Sequence, residues 1–114
     1  MPVVQIFGVK NSQDTRAAER FFKERRAQIQ MVDLAVKPMA PAEIRRFIQR
    51  FTLPALLDTA GKACQQAGLA YLRLSDSDLL SRIEREPRLL RLPLVRCGDS
   101  LSLGRDETAW KAML

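Results

Sequence analysis

The chain contains no histidine and only two cysteines, Cys64 and Cys97. Without histidine it cannot form a Ser-His or Cys-His catalytic pair, or a metal site with imidazole ligands. The two cysteines are 33 positions apart, which matches neither a Cys-x-x-Cys redox motif nor the ligand spacing of a zinc site. We therefore expect no metal site, and two reduced thiols that are buried or semi-exposed.

The chain also lacks a long hydrophobic run and a signal-peptide pattern. No apolar segment approaches the roughly 20 residues that span a bilayer. Met1 and Pro2 lead directly into a predicted strand instead of a charged and then apolar leader. These absences predict a cytoplasmic protein without a membrane partner. The length of 114 residues predicts a single domain over residues 1–114.

Acidic residues are the minority among the charges, with 13 Asp and Glu against 19 Lys and Arg, which gives a formal net charge of +6. The basic residues are spread over Arg16–Arg26, Arg45–Arg50 and Arg82–Arg96. Such spreading is typical of solvated helix faces, and the chain has no recognition-helix motif. The charge favours acidic partners or anionic ligands, and direct binding to nucleic acid is not expected.

Hydrophobic periodicity predicts strands and helices at both ends of the chain. Val3–Phe7 and Ile29–Leu34 are predicted strands on either side of a helix that begins after Ser12. Gly98 and Asp99 give a hairpin-turn signal between two later strands. The further predicted elements are helices over Pro41–Phe51, Pro54–Leu57 and from Ser75 or Asp76 to about Glu84, a helical turn around Lys62–Ala67 in a weaker stretch, strands over Leu90–Cys97 and Ser100–Leu103, and a last helix over Asp106–Met113.

This order of elements, β-α-β, then several helices, then β-β-α, predicts the fold class. A β-α-β crossover produces a parallel pair of strands, and a hairpin produces an antiparallel pair. The sequence therefore predicts an α/β protein with a mixed four-stranded sheet. A helical insertion at about residues 41–85 separates the second strand from the third.

The segment from the first strand to the first helix holds the main candidate site. A strand, a short loop and a helix N-terminus bring backbone N–H groups and the positive end of the helix dipole to one point. Ser12 stands at that point, where redox proteins of this kind carry a cysteine. A serine hydroxyl needs a base to become a nucleophile, and the usual base, histidine, is absent. The structural role expected for Ser12 is an N-cap that accepts a hydrogen bond from the backbone N–H of Asp14 or Thr15.

Five segments, in the same order along the chain, resemble the ArsC/Spx family of arsenate reductase-like proteins. In that family a strand leads through a glycine to a cysteine followed by Asp-Thr or a similar pair, and the position of the cysteine is Ser12 here. The resemblance implies a thioredoxin-like, glutaredoxin-like fold with Gly8 and a cis Pro93 beside the site. The matching segments are Phe7–Ala18, Phe21–Arg26, Val32–Leu34, Leu90–Val95 and Leu103–Glu107.

The resemblance also implies how an anion is held. In the arsenate-reducing members the helix dipole and nearby arginines lower the pKa of the cysteine and bind the oxyanion. Two positions at which the family carries arginine are Thr59 and Leu92 here, and Arg91 points to the opposite face if its segment is extended. The candidates for anion binding are Asn11, Gln13, Asp14, Arg16, Arg91 and Arg105.

These departures favour a degenerate family member that acts by binding or regulation. Its ligand would be an oxyanion or glutathione at the N-terminus of the first helix, and the resemblance to Spx implies the RNA polymerase α subunit as a protein partner. The alternative is a thiol-dependent oxidoreductase or arsenate reductase, if Ser12 is an engineered replacement of cysteine or if Cys64 or Cys97 substitutes for it. No cofactor is expected, and glutathione or another thiol reductant would serve only an active enzyme.

Overall fold

The first half of the sheet is a β-α-β unit. A computed structural model describes residues 3–68 and 74–114. Strand β1 (Val4–Gly8) pairs in parallel with strand β2 (Ile29–Asp33), with Val4 opposite Ile29 and Gly8 opposite Asp33. Helix α1 (Gln13–Glu24) connects the two strands, and Ala18 and Phe22 on its apolar face are buried. The predicted parallel pair is therefore confirmed.

A hairpin completes the sheet. Strand β3 (Leu94–Cys97) pairs antiparallel with β1 and with strand β4 (Ser100–Leu103), so the strand order is β2-β1-β3-β4. Gly98, with φ 62°, occupies the left-handed conformation that the turn requires. The last helix, α5, covers Glu107–Ala112. The predicted mixed four-stranded α/β fold is confirmed.

The insertion between β2 and β3 is helical. Helix α2 (Pro41–Phe51) has the predicted bounds, with proline at its first position, where the missing N–H removes no helical hydrogen bond. Two 3₁₀ turns, Pro54–Leu56 and Pro87–Leu89, lie near the two ends of the remaining segment. Between them are helices α3 (Lys62–Ala67) and α4 (Asp76–Arg85).

Two apolar clusters cover the opposite faces of the sheet. Because side chains alternate along a strand, Ile6 and Val95 contact one cluster while Phe7 and Leu94 contact the other. The first cluster contains α1 and α5, and the second contains the insertion. The sheet therefore separates α1 from the apolar cluster of the insertion.

The third strand is shorter than the sequence predicts. The predicted strand Leu90–Cys97 begins only at Leu94. Pro93 lacks an N–H group, and Leu90 makes an isolated bridge with Leu57 instead of joining the sheet. The Leu92–Pro93 peptide bond is cis, as the family resemblance implies. Within residues 3–68 and 74–114, no helix is both long and apolar enough to cross a membrane.

Candidate functional site

Ser12 is the N-cap of α1. Its backbone is extended, with φ −84° and ψ 121°, and its Oγ accepts a hydrogen bond of 3.2 Å from the backbone N–H of Thr15. The Ser12 carbonyl accepts the first helical hydrogen bond from Arg16, at 3.1 Å. The Ser12 hydroxyl therefore satisfies a backbone donor that the helix itself leaves open.

A close approach between β1 and α1 holds this helix end in place. A Cβ atom on Gly8 would collide with the side chain of Thr15, so only glycine fits at the end of the strand. Thr15 is 1% exposed, and its Oγ1 has no hydrogen-bond partner in the described part of the chain. The first turn of α1 thus packs directly on the strand end, with one buried hydroxyl left unsatisfied.

Ser12 opens onto a cavity of about 590 Å³, called here the Ser12 cavity. Its walls come from the start of α1, from α3 and from the segment that precedes β3. Leu92 forms part of the apolar wall, at a position where the family resemblance implies an arginine. The lining residues are Ser12, Asp14, Asp58, Gly61, Lys62, Ala63, Gln66, Ala67, Glu86, Arg88, Leu90 and Leu92.

The Ser12 cavity is lined by charges of both signs. The cations are Lys62 and Arg88, and the carboxylates are Asp14, Asp58 and Glu86. Asp14 lies in the first turn of α1, where the helix dipole stabilises its negative charge. An added anion would have to share the positive helix end with this carboxylate. The cavity therefore suits a ligand that carries both signs better than a simple oxyanion.

The structure brings only part of the predicted anion-binding set to this cavity. Arg105 lies at its edge, where its Nη1 is 3.8 Å from Oδ1 of Asp14. Arg16 and Asn11 line two other surface grooves. Gln13 is the exposed first residue of α1 and is not among the lining residues.

Arg91, another predicted anion-binding residue, makes hydrogen bonds within the protein. Its Nε donates a hydrogen bond of 3.1 Å to the carbonyl of Leu57, and its backbone N–H donates one of 2.7 Å to the carbonyl of Leu56. These bonds tie the segment before Pro93 to the insertion, and Arg91 does not line the Ser12 cavity.

Cys64 lies close to the Ser12 cavity but faces away from it. Its neighbours Lys62 and Ala63 line the cavity, whereas Cys64 is 3% exposed, and its Sγ donates to the Leu89 carbonyl at 3.4 Å. Burial raises the pKa of the Cys64 thiol, and the nearby Asp58 carboxylate raises it further, against a smaller lowering by a backbone hydrogen bond at Asp58. The thiol is therefore protonated and shielded at neutral pH, unlike a reactive cysteine.

Cys97 lies on the other side of the sheet. It packs in the cluster with α1 and α5, and its Sγ donates to the Met113 carbonyl at 3.6 Å. Because Cys64 belongs to the opposite cluster, the two thiols cannot meet across the sheet. Among the residues that the structure describes, no three His, Cys, Asp or Glu side chains are grouped so that they could hold a metal ion.

Sequence reasoning missed five polar residues of the cavity: Lys62, Gln66, Asp58, Glu86 and Arg88. A local signal existed for the first two, because a helical turn around Lys62–Ala67 was predicted and the two residues are one helical turn apart. Nothing local indicates that α3 lies over the N-terminus of α1. Arg88 belongs to a 3₁₀ turn that lies between the predicted helix ending at about Glu84 and the predicted strand beginning at Leu90.

Comparisons with known proteins identify the family and the fold of the chain. The model of the ArsC family matches residues 7–113. The structure is similar to an arsenate reductase from Vibrio cholerae, with 18% sequence identity, a TM-score of 0.81, and coverage of 99% of this chain and 98% of that chain. A Staphylococcus aureus protein of known solution structure gives 22% identity, a TM-score of 0.74, and coverage of 96% of both chains.

An arsenate reductase (ArsC) related protein from Brucella melitensis gives 16% identity, a TM-score of 0.67, and coverage of 96% of this chain and 92% of that chain. At such identities these likenesses establish a shared fold and not a shared activity. No curated protein sequence matches the chain.

Proposed function

The chain belongs to the ArsC family, and on this basis we propose that it is a non-catalytic member that binds a small zwitterionic thiol of the glutathione class. The ligand occupies the Ser12 cavity. The protein acts through this binding and does not reduce the ligand or an oxyanion.

The role of Ser12 as an N-cap carries the proposal. The hydroxyl is held by the backbone N–H of Thr15 at 3.2 Å, and the chain has no histidine to remove its proton. A serine in this position cannot form the sulfur–arsenic bond or the mixed disulfide on which thiol-based reduction depends. The remaining features of the site, a helix N-terminus and a polar cavity, support binding without these covalent steps.

The mixed charge of the cavity supports the choice of ligand. Glutathione has two carboxylates and one ammonium group. Lys62 and Arg88 provide cations for the carboxylates, and Asp58 and Glu86 provide carboxylates for the ammonium group. The volume of about 590 Å³ lies inside the usual range for small-ligand pockets.

The alternative is a thiol-dependent reductase in which Cys64 or Cys97 replaces the missing nucleophile. The positions of the two thiols argue against it. The Cys64 side chain is turned into the apolar core, and Cys97 lies on the other face of the sheet. If Ser12 is an engineered replacement of a cysteine, the natural protein would be the enzyme and the present chain its inactive form. The RNA polymerase α subunit remains a predicted partner.

Titration calorimetry tests the binding. We expect glutathione to bind more tightly than arsenate. The double variant Lys62→Glu and Arg88→Glu should weaken glutathione binding by about tenfold or more, equivalent to about 1.4 kcal/mol. The control is Arg45→Glu with Arg46→Glu, which changes the net charge equally at exposed positions on α2 and should leave binding unchanged. Equal weakening by both double variants, or no heat with glutathione, would refute the proposed ligand.

A reductase assay tests the absence of turnover. The protein with Ser12 should reduce neither arsenate nor a glutathione mixed disulfide. In Ser12→Cys, the helix N-terminus should favour the thiolate, which would be measured as faster alkylation than that of a free thiol at neutral pH. Reductase activity in the unchanged protein would overturn the non-catalytic assignment, whatever the calorimetry shows.

A further inference from the structure

The outer edge of the sheet at β2 has free backbone groups. The N–H of Val4 bonds to the carbonyl of Gln28, and the N–H of Leu34 bonds to the carbonyl of Gly8, both at 2.8 Å. Backbone groups alternate in direction along a parallel strand. Every second residue from Gln28 to Leu34 therefore also points its N–H and C=O groups toward β1. Ile29 and Met31 therefore direct both their N–H and C=O groups away from the sheet.

Nothing in the described part of the chain pairs with that edge. The sheet ends at β2, with β1 as the strand's neighbour on the inner side. At the far end of β2, the carbonyl of Asp33 already accepts bonds from the loop residues Val36 and Lys37, at 3.0 Å each. The segment Ile29–Asp33 contains no lysine or proline, which are residues that commonly block strand addition, and its one charged residue, Asp33, lies at its end.

A surface groove runs beside this edge, between α1 and β2. It has a volume of about 750 Å³, and Met31 forms part of its floor. Thr15, which packs on Gly8, separates it from the Ser12 cavity, and the two share no lining residue. The charged residues of the groove are the cations Lys10, Arg16, Arg20 and Lys23 and the carboxylates Glu19, Glu24 and Asp33.

Three of the four cations of the groove, all but Lys23, have no ion-pair partner among the described residues, whereas two of its three carboxylates already have a polar contact. Glu19 is 3.7 Å from Lys23, and Asp33 accepts a hydrogen bond from the backbone N–H of Ala35 at 3.0 Å. Arg16 and Arg20 are both exposed, and neither makes an ion pair with another described residue. The groove therefore presents two exposed arginines without an ion pair in the described part of the chain, while Glu24 and Asp33 also keep their negative charge there.

We propose that β2 accepts an extended acidic peptide segment of a partner protein as a fifth strand of the sheet. The backbone of that segment pairs with Ile29 and Met31, and its acidic side chains reach into the groove. Side chains at alternate positions of a strand are about 6.6 Å apart, and residues four apart on a helix are separated by about 6 Å along the axis. Aspartates at alternate positions therefore match the spacing of Arg16 and Arg20.

The other edge of the sheet provides an internal comparison. Strand β4 is also an edge strand, but neither of its end residues, Ser100 and Leu103, lines the groove between α1 and β2. Main-chain pairing supplies affinity to any exposed edge, whereas charge complementarity selects the partner. An acidic segment should therefore add to β2 and not to β4.

Amide hydrogen exchange measured by NMR tests the proposal. The probe is a synthetic peptide of about nine residues with aspartate at alternate positions and valine or threonine between them. On binding, the exchange of the Ile29 and Met31 amides should slow by about tenfold or more. The amides of Gln30 and Val32 already face β1 and should change little, as should those of β4. Protection that is absent at Ile29 and Met31, or equal at β4, would overturn the proposal.

Charge variants separate specific docking from general attraction to a basic protein. Arg16→Glu with Arg20→Glu should weaken peptide binding by about tenfold or more, measured by fluorescence anisotropy. Arg45→Glu with Arg46→Glu has the same net charge and should weaken it less than about twofold. Equal weakening by both pairs would contradict the site. Because the Ser12 cavity shares no residue with the groove, glutathione binding should persist in the Arg16 and Arg20 variant, so the two proposals can fail separately.

Discussion

At the scale of single residues, two hydroxyl groups at the start of α1 differ in their hydrogen bonding. Ser12 Oγ accepts the N–H of Thr15, while Thr15 Oγ1 is buried without a partner. Elsewhere a buried hydroxyl is satisfied, since Ser102 Oγ accepts a hydrogen bond of 3.1 Å from the indole of Trp110. The Thr15 hydroxyl is therefore a cost to folding, and its methyl group contributes the packing against Gly8.

Thr15→Val tests this interpretation. Valine has the same shape and no hydroxyl, so we expect the free energy of unfolding to rise by about 1 kcal/mol. Thr15→Ser, which keeps the hydroxyl and loses the methyl group, should lower it by about 1 kcal/mol. Urea unfolding can be followed by the fluorescence of Trp110, the single tryptophan. A loss of stability in Thr15→Val would show that the hydroxyl has a partner, such as a bound water.

At the scale of secondary structure, local signals predicted most elements. Helix α2 has the predicted bounds because proline starts it and its apolar residues recur at helical spacing. The third strand was predicted too long because an apolar run does not distinguish a strand from other buried segments. Leu89 and Leu90 are indeed buried, but in a 3₁₀ turn and at an isolated bridge.

Helix α5 should depend strongly on its N-cap because it is short. Oδ1 of Asp106 accepts the N–H of Ala109 at 3.1 Å, and the helix carries the buried Trp110. Asp106→Ala should lower the free energy of unfolding by about 1 kcal/mol, and Asp106→Asn should restore most of it. Asp99→Ala, at an exposed turn position, is the control and should have little effect. An equal loss in both alanine variants would refute the capping role.

At the scale of the whole molecule, the sheet assigns the two thiols to separate apolar clusters. Cys64 belongs to the cluster under the insertion and Cys97 to the cluster under α1 and α5. The sequence predicted two reduced cysteines but left open whether they are buried or semi-exposed, and the structure shows both free and buried. The sequence also left open whether either could reach Ser12. That question depends on which face of the sheet each element covers, and a spacing of 33 positions says nothing about it.

Because burial raises the pKa of the Cys64 thiol, the free energy of unfolding of the whole protein depends on pH. Above the ordinary pKa of a thiol, the unfolded chain loses the Cys64 proton while the folded protein keeps it. Unfolding then releases a proton, so the free energy of unfolding falls as pH rises, by at most about 1.4 kcal/mol per pH unit from this group. Cys64→Ala should show a shallower decline between neutral and alkaline pH in urea unfolding. Identical slopes for the two proteins would contradict the raised pKa.

The sequence by itself determined the order of the elements, the capping role of Ser12 and the absence of a histidine base. These depend on composition and on interactions within a few residues, which periodicity and helix signals report directly. Only the tertiary structure decided which charges meet Ser12, because Lys62 and Arg88 lie 50 and 76 positions away along the chain. It also decided that the thiols are shielded and that the α1 arginines lie along a free strand edge. Those placements follow from how the insertion and α1 pack on opposite faces of the sheet, and no local pattern encodes that packing.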